Sequence, residues 1–196
     1  MATYQPLEGY QLPHAVNTLS AAFQNDPLYR FIIPDDGERS AFLQVFFAFR
    51  LRYGMNFGEV HVTSGTCEAV AVWIRAEGAR KGPMLEGGLA VVKAVKGDAR
   101  RKLLEMQRYV DSMRERVPFP YWHLSPIAVH PAHQRRGLAS VLIRSMLERI
   151  DREQAVSVLE TQDQKNVMMY ERYGFRIFCE GTIPGSDTRN WLMTRP

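Results

Sequence analysis

The stretch LSPIAVHPAHQRRGLA, residues 124–139, decides how the chain is read. Leu124 to Val129 is an apolar, strand-like run, and His130-Pro131 ends it. Gln134-Arg135-Arg136-Gly137-Leu138-Ala139 then turns the chain into a helix. Its apolar positions Leu138, Val141, Leu142, Met146 and Ile150 share one face, while Arg144, Glu148 and Arg152 fall on another at favourable four-residue spacing. A strand that ends in a glycine-containing turn and opens a helix leaves several backbone N–H groups unpaired where the helix dipole favours negative charge. Gly137 and Ala139 carry little or no side chain, so phosphate oxygens can approach the amides, and Arg135 and Arg136 add charge-assisted donors. The stretch therefore reads as a diphosphate site. Taken alone, an ordinary strand-to-helix connection with a solvated arginine pair is the plainer alternative.

Working outward towards the C-terminus, Ala155 to Glu160 reads as a strand, Lys165 to Tyr173 as a short helix, Phe175 to Cys179 as a strand and Asn190 to Thr194 as a last one. The order β-turn-α-β-α-β-β predicts an α/β protein. Towards the N-terminus, Val16, Leu19, Ala22 and Phe23 mark a helix that Asp26-Pro27 closes. The segment Arg39 to Tyr53 places Phe42, Val45, Phe46, Phe49 and Tyr53 on one stripe, which forms core or lines a substrate pocket. Glu59 to Thr63 and Glu68 to Ile74, separated by Ser64-Gly65-Thr66, predict an antiparallel hairpin. A loop with Gly82-Pro83 and Gly87-Gly88 follows. Leu103, Met106, Val110, Met113 and Val117 then keep a helical stripe until Pro118 and Pro120 stop it.

The 196 residues fit one domain with a substantial core, and 45% hydrophobic with 23% charged residues excludes disorder. A net charge of +4 and a pI near 9.2 come from dispersed arginines, which argues against nucleic acid and for a phosphorylated small molecule. Cys67 and Cys179 lack the paired spacing of a zinc or redox site and point to free thiols in a reducing compartment. The start MATYQPLEGY is unlike a secretory signal, and no segment approaches the roughly eighteen apolar residues of a membrane span. The expectation is a cytoplasmic protein with no membrane partner.

The turn lacks both the Gly-Lys-Ser/Thr of an NTPase loop and the three-glycine dinucleotide fingerprint. Gln134, Gly137 and Ala139 instead match Gln/Arg-x-x-Gly-x-Gly/Ala, the cofactor motif of the GNAT superfamily of N-acetyltransferases. Asn166 followed by Tyr170-Glu171-Arg172-Tyr173-Gly174-Phe175 resembles that family's later motif, an asparagine and then Tyr-x-x-x-Gly-Phe. The two stand in the family's order, and the resemblance is strongest from Tyr121 to Phe178. Ala22-Phe23 with Asp26-Pro27, Val72-Trp73 and Leu159-Glu160-Thr161 are similar to the branch that contains puromycin N-acetyltransferase.

The resemblance implies a single GNAT domain over residues 1–196, with a mixed, mostly antiparallel sheet flanked by helices. Residues 1–120 would form the substrate side and 121–196 the acetyl-CoA half. It implies acetyl-CoA as donor and a small-molecule primary amine as acceptor, joined by direct attack in a ternary complex without a covalent enzyme intermediate. Ile127-Ala128-Val129 would splay from the neighbouring strand and pair with the pantetheine arm, one amide facing the thioester oxygen. Gln134, Arg135, Arg136, Gly137 and the amides through Leu138, Ala139 and Ser140 would hold the pyrophosphate. Asn166 would bond the pantetheine amides or cap the short helix, and Tyr170 would point at the cofactor sulfur.

A phenol with a reference pKa of about 10 opposite a thiol of roughly 8.5 makes full proton transfer uphill by about 2 kcal/mol, so Tyr170 acts partly as a hydrogen-bond donor. Tyr173 is the weaker candidate, packed beside Gly174-Phe175. The base is less defined, because Tyr121 to Val129 contains no carboxylate where many family members place a glutamate. Glu160 and His123 are the alternatives, either acting directly or through a water, with ordered water alone as the third. Glu160 is favoured, on the expectation that an apolar strand end raises its pKa, while His123 titrates near neutrality. Otherwise Glu160 is a salt-bridge partner and His123 a satisfied strand histidine. His130 and His133 flank a proline turn without a carboxylate or cysteine partner, so no metal is expected. Two rival readings stand beside this one, a non-catalytic acyl-CoA-binding regulatory domain and a protein or peptide acetyltransferase. The latter calls for an acidic groove, which the basic balance opposes. Oligomeric state is left open, a homodimer included.

Overall fold

The computed structural model describes residues 3–63, 65–76, 87–118 and 120–196. Ser64 of the expected hairpin turn and Gly82-Pro83 of the expected loop lie outside these residues. One sheet of seven strands organises the chain: β1 (Tyr4–Pro6), β2 (Gly58–Thr63), β3 (Ala69–Arg75), β4 (Tyr121–Val129), β5 (Val156–Thr161), β6 (Arg176–Thr182) and β7 (Arg189–Arg195). Their order is β1-β2-β3-β4-β5-β7-β6. Only β4 and β5 run parallel, and every other pair is antiparallel. The expected hairpin is present as β2 and β3, Val60 opposite Val72.

Helices cover both faces. On one lie α1 (Leu12–Phe23), α2 (Pro27–Ile32), α3 (Asp36–Phe57), α4 (Leu89–Lys93) and α5 (Gly97–Arg114); on the other, α6 (Leu138–Arg152) and α7 (Gln164–Glu171). The interior strand β3 is buried on both sides, and its alternation divides the core. Val70, Val72 and Ile74 join Leu19, Phe42, Phe47 and Leu51 of the first helical layer. Ala69, Ala71 and Trp73 join Leu142, Met146 and Ile150 of α6. A near-continuous apolar strand is what two covered faces require.

Two local readings are corrected. Asp26-Pro27 opens a helix as well as closing one: the Asp26 carboxylate accepts from the Leu28 and Tyr29 amides and Pro27 occupies the first turn, the arrangement that starts α2. On α6 the four-residue spacing of Arg144, Glu148 and Arg152 does not give side-chain ion pairs. Arg144 bonds Ser140 Oγ, Arg152 bonds the Glu148 carbonyl, and the helical ion pair is Arg149–Glu153. Both cysteines are free thiols, and among the described residues no helix is long and apolar enough to cross a membrane.

Candidate active site

The site begins where β4 and β5 part. Their parallel pairing runs from Tyr121 opposite Val156 to Leu124 opposite Leu159 and goes no further. Beyond it, β5 continues against β7 through Glu160 and Thr161, while β4 continues against β3 through Ile127, Ala128 and Val129. The edge of Ile127-Ala128-Val129 that would face β5 is therefore open, a row of backbone groups able to pair with an extended ligand. The register of β4 on β3 also shifts here, between Ala71 and Trp73. This bulge re-aims the strand, so that Leu124 before it and Ile127 after it both join the α6 side of the core.

The open edge leads into the turn. Arg135 and Gly137 both have positive φ, 64° and 78°, which lifts the chain sharply into α6. Glycine suits the second position because the left-handed region costs it nothing. Among the described residues no side chain caps α6, so the amides of Leu138, Ala139 and Ser140 are left pointing out of the helix start. Gln134 is spent locally, its amide bonding the Val129 carbonyl at 3.3 Å and tying the turn to the strand. Exposed Arg135 and Arg136 stand beside the helix start. Open strand edge, free helix N-terminus and flanking arginines together fit a pantetheine arm that ends in a pyrophosphate.

On the other side of the parting lies a cavity of about 770 Å³, walled by Phe23, Tyr29, Phe46 and Phe49 from the N-terminal helices. Its floor is polar. His123 of β4 and Glu160 of β5 face the same way by strand alternation, and Nε2 of His123 lies 2.6 Å from Oε2 of Glu160. Arg114, in the last turn of α5, reaches both, with Nη1 at 3.2 Å from His123 Nδ1 and Nε at 3.3 Å from Glu160 Oε1. A guanidinium has only donors, so Nδ1 must accept. Nε2 then carries the hydrogen and donates it to the carboxylate. His123 is thus neutral and Glu160 ionised.

Burial disfavours charge on both groups. It lowers the pKa of His123 against the opposing pull of Glu160, with Arg114 and Arg50 pushing the same way as burial. In Glu160 burial raises the pKa, but His123 and Arg114, followed by Arg50, outweigh it and hold the carboxyl down to about 2. The expected rise at an apolar strand end is therefore corrected: the strand end is apolar, but the sheet face above it carries two arginines and a histidine. Oε1 of Glu160 is buried, and no donor among the described residues is aligned to hydrogen-bond it.

The later motif also has a visible cause. Tyr170 closes α7 at 6% exposure on the cavity wall. Gly174, at φ 86°, reverses the chain, the Phe175 amide bonds the Tyr170 carbonyl at 3.2 Å, and the Phe175 ring meets the Tyr170 ring edge-on at 5.8 Å. Glycine and phenylalanine thus fix the tyrosine. Tyr173 packs, partly buried, against the same cluster, with the Arg144 guanidinium 5.4 Å from its ring. Burial raises the Tyr170 pKa well above its ordinary 10, so the phenol stays protonated. Asn166 is on the same cavity wall but does not cap α7, because Asp163 does so by accepting from the Lys165 amide at 2.8 Å.

His130 and His133 sit 5.7 Å apart between ring centres, and His133 approaches Glu68 at 3.3 Å. Among the described residues no group of three or more potential ligands is placed to hold a metal. Two wall residues had no sequence signal as site residues. Arg50 interrupts the aromatic stripe of α3, and Arg114 is an ordinary last-turn arginine until the sheet brings it over Glu160.

Residues 65–177, more than half the chain, match the family described as acetyltransferase (GNAT) domain. The fold is similar to that of a Corynebacterium glutamicum protein described as histone acetyltransferase HPA2 and related acetyltransferase, with 24% identity and a TM-score of 0.72 over 100% of this chain and 96% of that one. It is also similar to the ribosomal-protein-S18-alanine N-acetyltransferase of Escherichia coli (18% identity, TM-score 0.56, 100% and 94% covered). A third likeness is to the polyamine N-acetyltransferase of Drosophila melanogaster (12% identity, TM-score 0.62, 99% of each chain). The chain belongs to the GNAT family and is an N-acetyltransferase that takes its acetyl group from acetyl-CoA.

Proposed function

We propose that the acceptor is the primary amine of a small molecule, acetylated by direct attack within a ternary complex. The observation that carries this reading is the cavity itself. Its volume of about 770 Å³ lies in the range of roughly 300–1,000 Å³ usual for small-molecule sites. One continuous wall carries Ile127, Asn166 and Tyr170 on the donor side and His123 and Glu160 on the acceptor side. Relatives of this fold include enzymes named for polyamine, agmatine and arylalkylamine substrates as well as one described as a histone acetyltransferase and one named for a ribosomal protein. The aromatic enclosure by α1, α2 and α3 favours the former group.

Acetyl-CoA supplies an activated acyl group and a thiol leaving group. In this reading Ile127-Ala128-Val129 aligns the donor along the open strand edge, and Gln134 to Ser140 anchor its pyrophosphate. Tyr170, kept neutral, donates a hydrogen bond to the departing sulfur. The incoming amine must be neutral to attack. Arg50 and Arg114 make the inner cavity unfavourable for an ammonium, and Oε1 of Glu160 is the acceptor for the amine proton, directly or through a water. His123 orients that carboxylate through Nε2–H.

The test is thiol release over a panel of small amines and lysine-bearing peptides. Higher kcat/KM on a small amine than on any peptide is expected. Peptide preference would overturn the small-molecule reading, and tight coenzyme A binding with no turnover on either would favour a regulatory domain.

A further inference from the structure

Resting on that small-amine reading, we infer that the acceptor carries an acidic group close to its amine, a carboxylate or phosphonate that Arg50 receives. Arg50 projects from α3 into the cavity wall. Its Nη2 donates to the Ser125 carbonyl at 2.5 Å, at the point where β4 leaves β5. The other wall arginines are answered: Arg114 by Asp111 and Glu160, Arg189 by Glu180. Arg50 forms no ion pair among the described residues, although a guanidinium has five donors.

Burial and the like charge of Arg114 lower its pKa to about 10, with Tyr29 and Glu160 pulling weakly the other way. A half-buried cation held beside a second cation is a cost that a bound anion removes. Arg50, Glu160 and His123 line the same cavity, and Arg50 is bonded to β4 two residues beyond His123, so the anion's place lies within a small molecule's span of the groups that face the amine. The remaining wall, Phe23, Tyr29, Phe46 and Phe49, suits an apolar or aromatic side chain. These requirements describe an amino acid or its phosphonate counterpart.

The cavity wall also carries Asp26, Asp163 and Asp187, of which Asp26 and Asp163 spend an oxygen on helix-start amides. Asp26 spends its Oδ1 on the Leu28 and Tyr29 amides, and burial, with the like charge of Asp163, raises its pKa against those two bonds. A polyamine would seek that acidic side and leave Arg50 unanswered. The two substrate classes therefore make opposite demands.

The experiment uses matched acceptors that differ only in the acidic group: phenylalanine with phenethylamine, leucine with isoamylamine, and the phosphonate analogue of phenylalanine, with 1,4-diaminobutane as the polyamine arm. Wild-type enzyme is expected to favour the acid over its decarboxylated partner by roughly ten- to a hundredfold in kcat/KM, the size of one charge-assisted interaction. In Arg50→Met this ratio collapses towards one, and in Arg50→Lys it is partly restored, since charge is kept and the planar fork lost. Coenzyme A affinity and the thermal midpoint verify that the variants are folded. Comparing carboxylate with phosphonate identifies which acid the site takes. A decarboxylated amine or the diamine used as well as the acids, or an acid preference that survives Arg50→Met, overturns the inference and leaves the small-amine reading standing. Peptide acetylation with silence on every small amine overturns both.

Discussion

Nε2 of His123 donates to Oε2 of Glu160 across 2.6 Å, joining the two strands around their last pair, Leu124 with Leu159, where they part. The contact makes the carboxylate part of a unit whose remaining oxygen, Oε1, has no aligned donor among the described residues. Glu160→Gln should therefore lower kcat/KM by about 10²-fold or more, the usual scale for a lost proton acceptor. Coenzyme A affinity, measured by calorimetry, should be nearly unchanged. A variant with full turnover would assign proton removal to water alone.

The pH profile should follow from the same unit. With its pKa held near 2, Glu160 is ionised at every working pH and contributes no acidic limb near its ordinary 4.5. The acidic limb of kcat/KM then reports the acceptor amine and should move when amines of different basicity are compared. A limb fixed near 4.5 to 6.5 for all amines would instead identify a titrating protein group.

Stability should respond to acid in two stages, because both groups have folded pKa values below their ordinary ones. For such groups the stabilising contribution is complete above the unfolded pKa and declines as pH falls through the window to the folded one. His123 starts this loss below 6.5 and Glu160 extends it from 4.5 to about 2. Thermal midpoints of wild type should fall across that range, and Glu160→Gln should flatten the lower part.

Arg114 is a positioning residue, buried over the pair with 16% of its side chain exposed. Arg114→Leu should cost on the order of 3 kcal/mol by leaving Glu160 poorly compensated, and should let the Glu160 pKa rise. A merely structural role would lower stability alone. The positioning role also predicts a carboxylate titration appearing in the kcat profile, with partial rescue by Arg114→Lys.

The donor half was legible because its chemistry is local. A turn, a helix start and a Tyr-x-x-x-Gly-Phe segment each declare themselves within a few residues, and the order of the last four strands follows from apolar runs between turn signals. The short β1, three residues long, has no period to read. The start of α2 was hidden by the ambiguity of Asp-Pro, which ends one helix and caps the next. The acceptor half was not legible because its polar floor is assembled from α3, α5, β4 and β5, with Arg50 lying 75 residues from its Ser125 partner. Burial alone suggested a raised Glu160 pKa, and only the assembled sheet reveals the cations that reverse it.

Gly137 separates conformation from charge. At φ 78° a side chain is strained, yet a Cβ there would meet nothing within 4 Å. Gly137→Ala should cost about 1–2 kcal/mol of stability for backbone conformation and weaken coenzyme A modestly. Gly137→Asp adds like charge at the helix start and should weaken coenzyme A much further. Equal affinities for the two variants would remove the pyrophosphate from this turn.

Tyr170→Phe tests the leaving-group side without disturbing the fold. The ring is held by its edge-on contact with Phe175 and by the backbone bond from Phe175 to the Tyr170 carbonyl, neither of which needs the hydroxyl. Stability should change by no more than about 1 kcal/mol, because the packing of the ring is kept. Because burial raises the phenol's pKa, it donates a hydrogen bond to the developing thiolate and does not surrender its proton beforehand. Its loss should lower kcat by about 10²-fold while leaving KM for the amine nearly constant, since the bond strengthens only as the sulfur gains charge. A donor with a more acidic thiol needs less help and should narrow the gap between Phe and Tyr enzymes. If the gap is independent of thiol acidity, the hydroxyl orients substrate and does not assist departure.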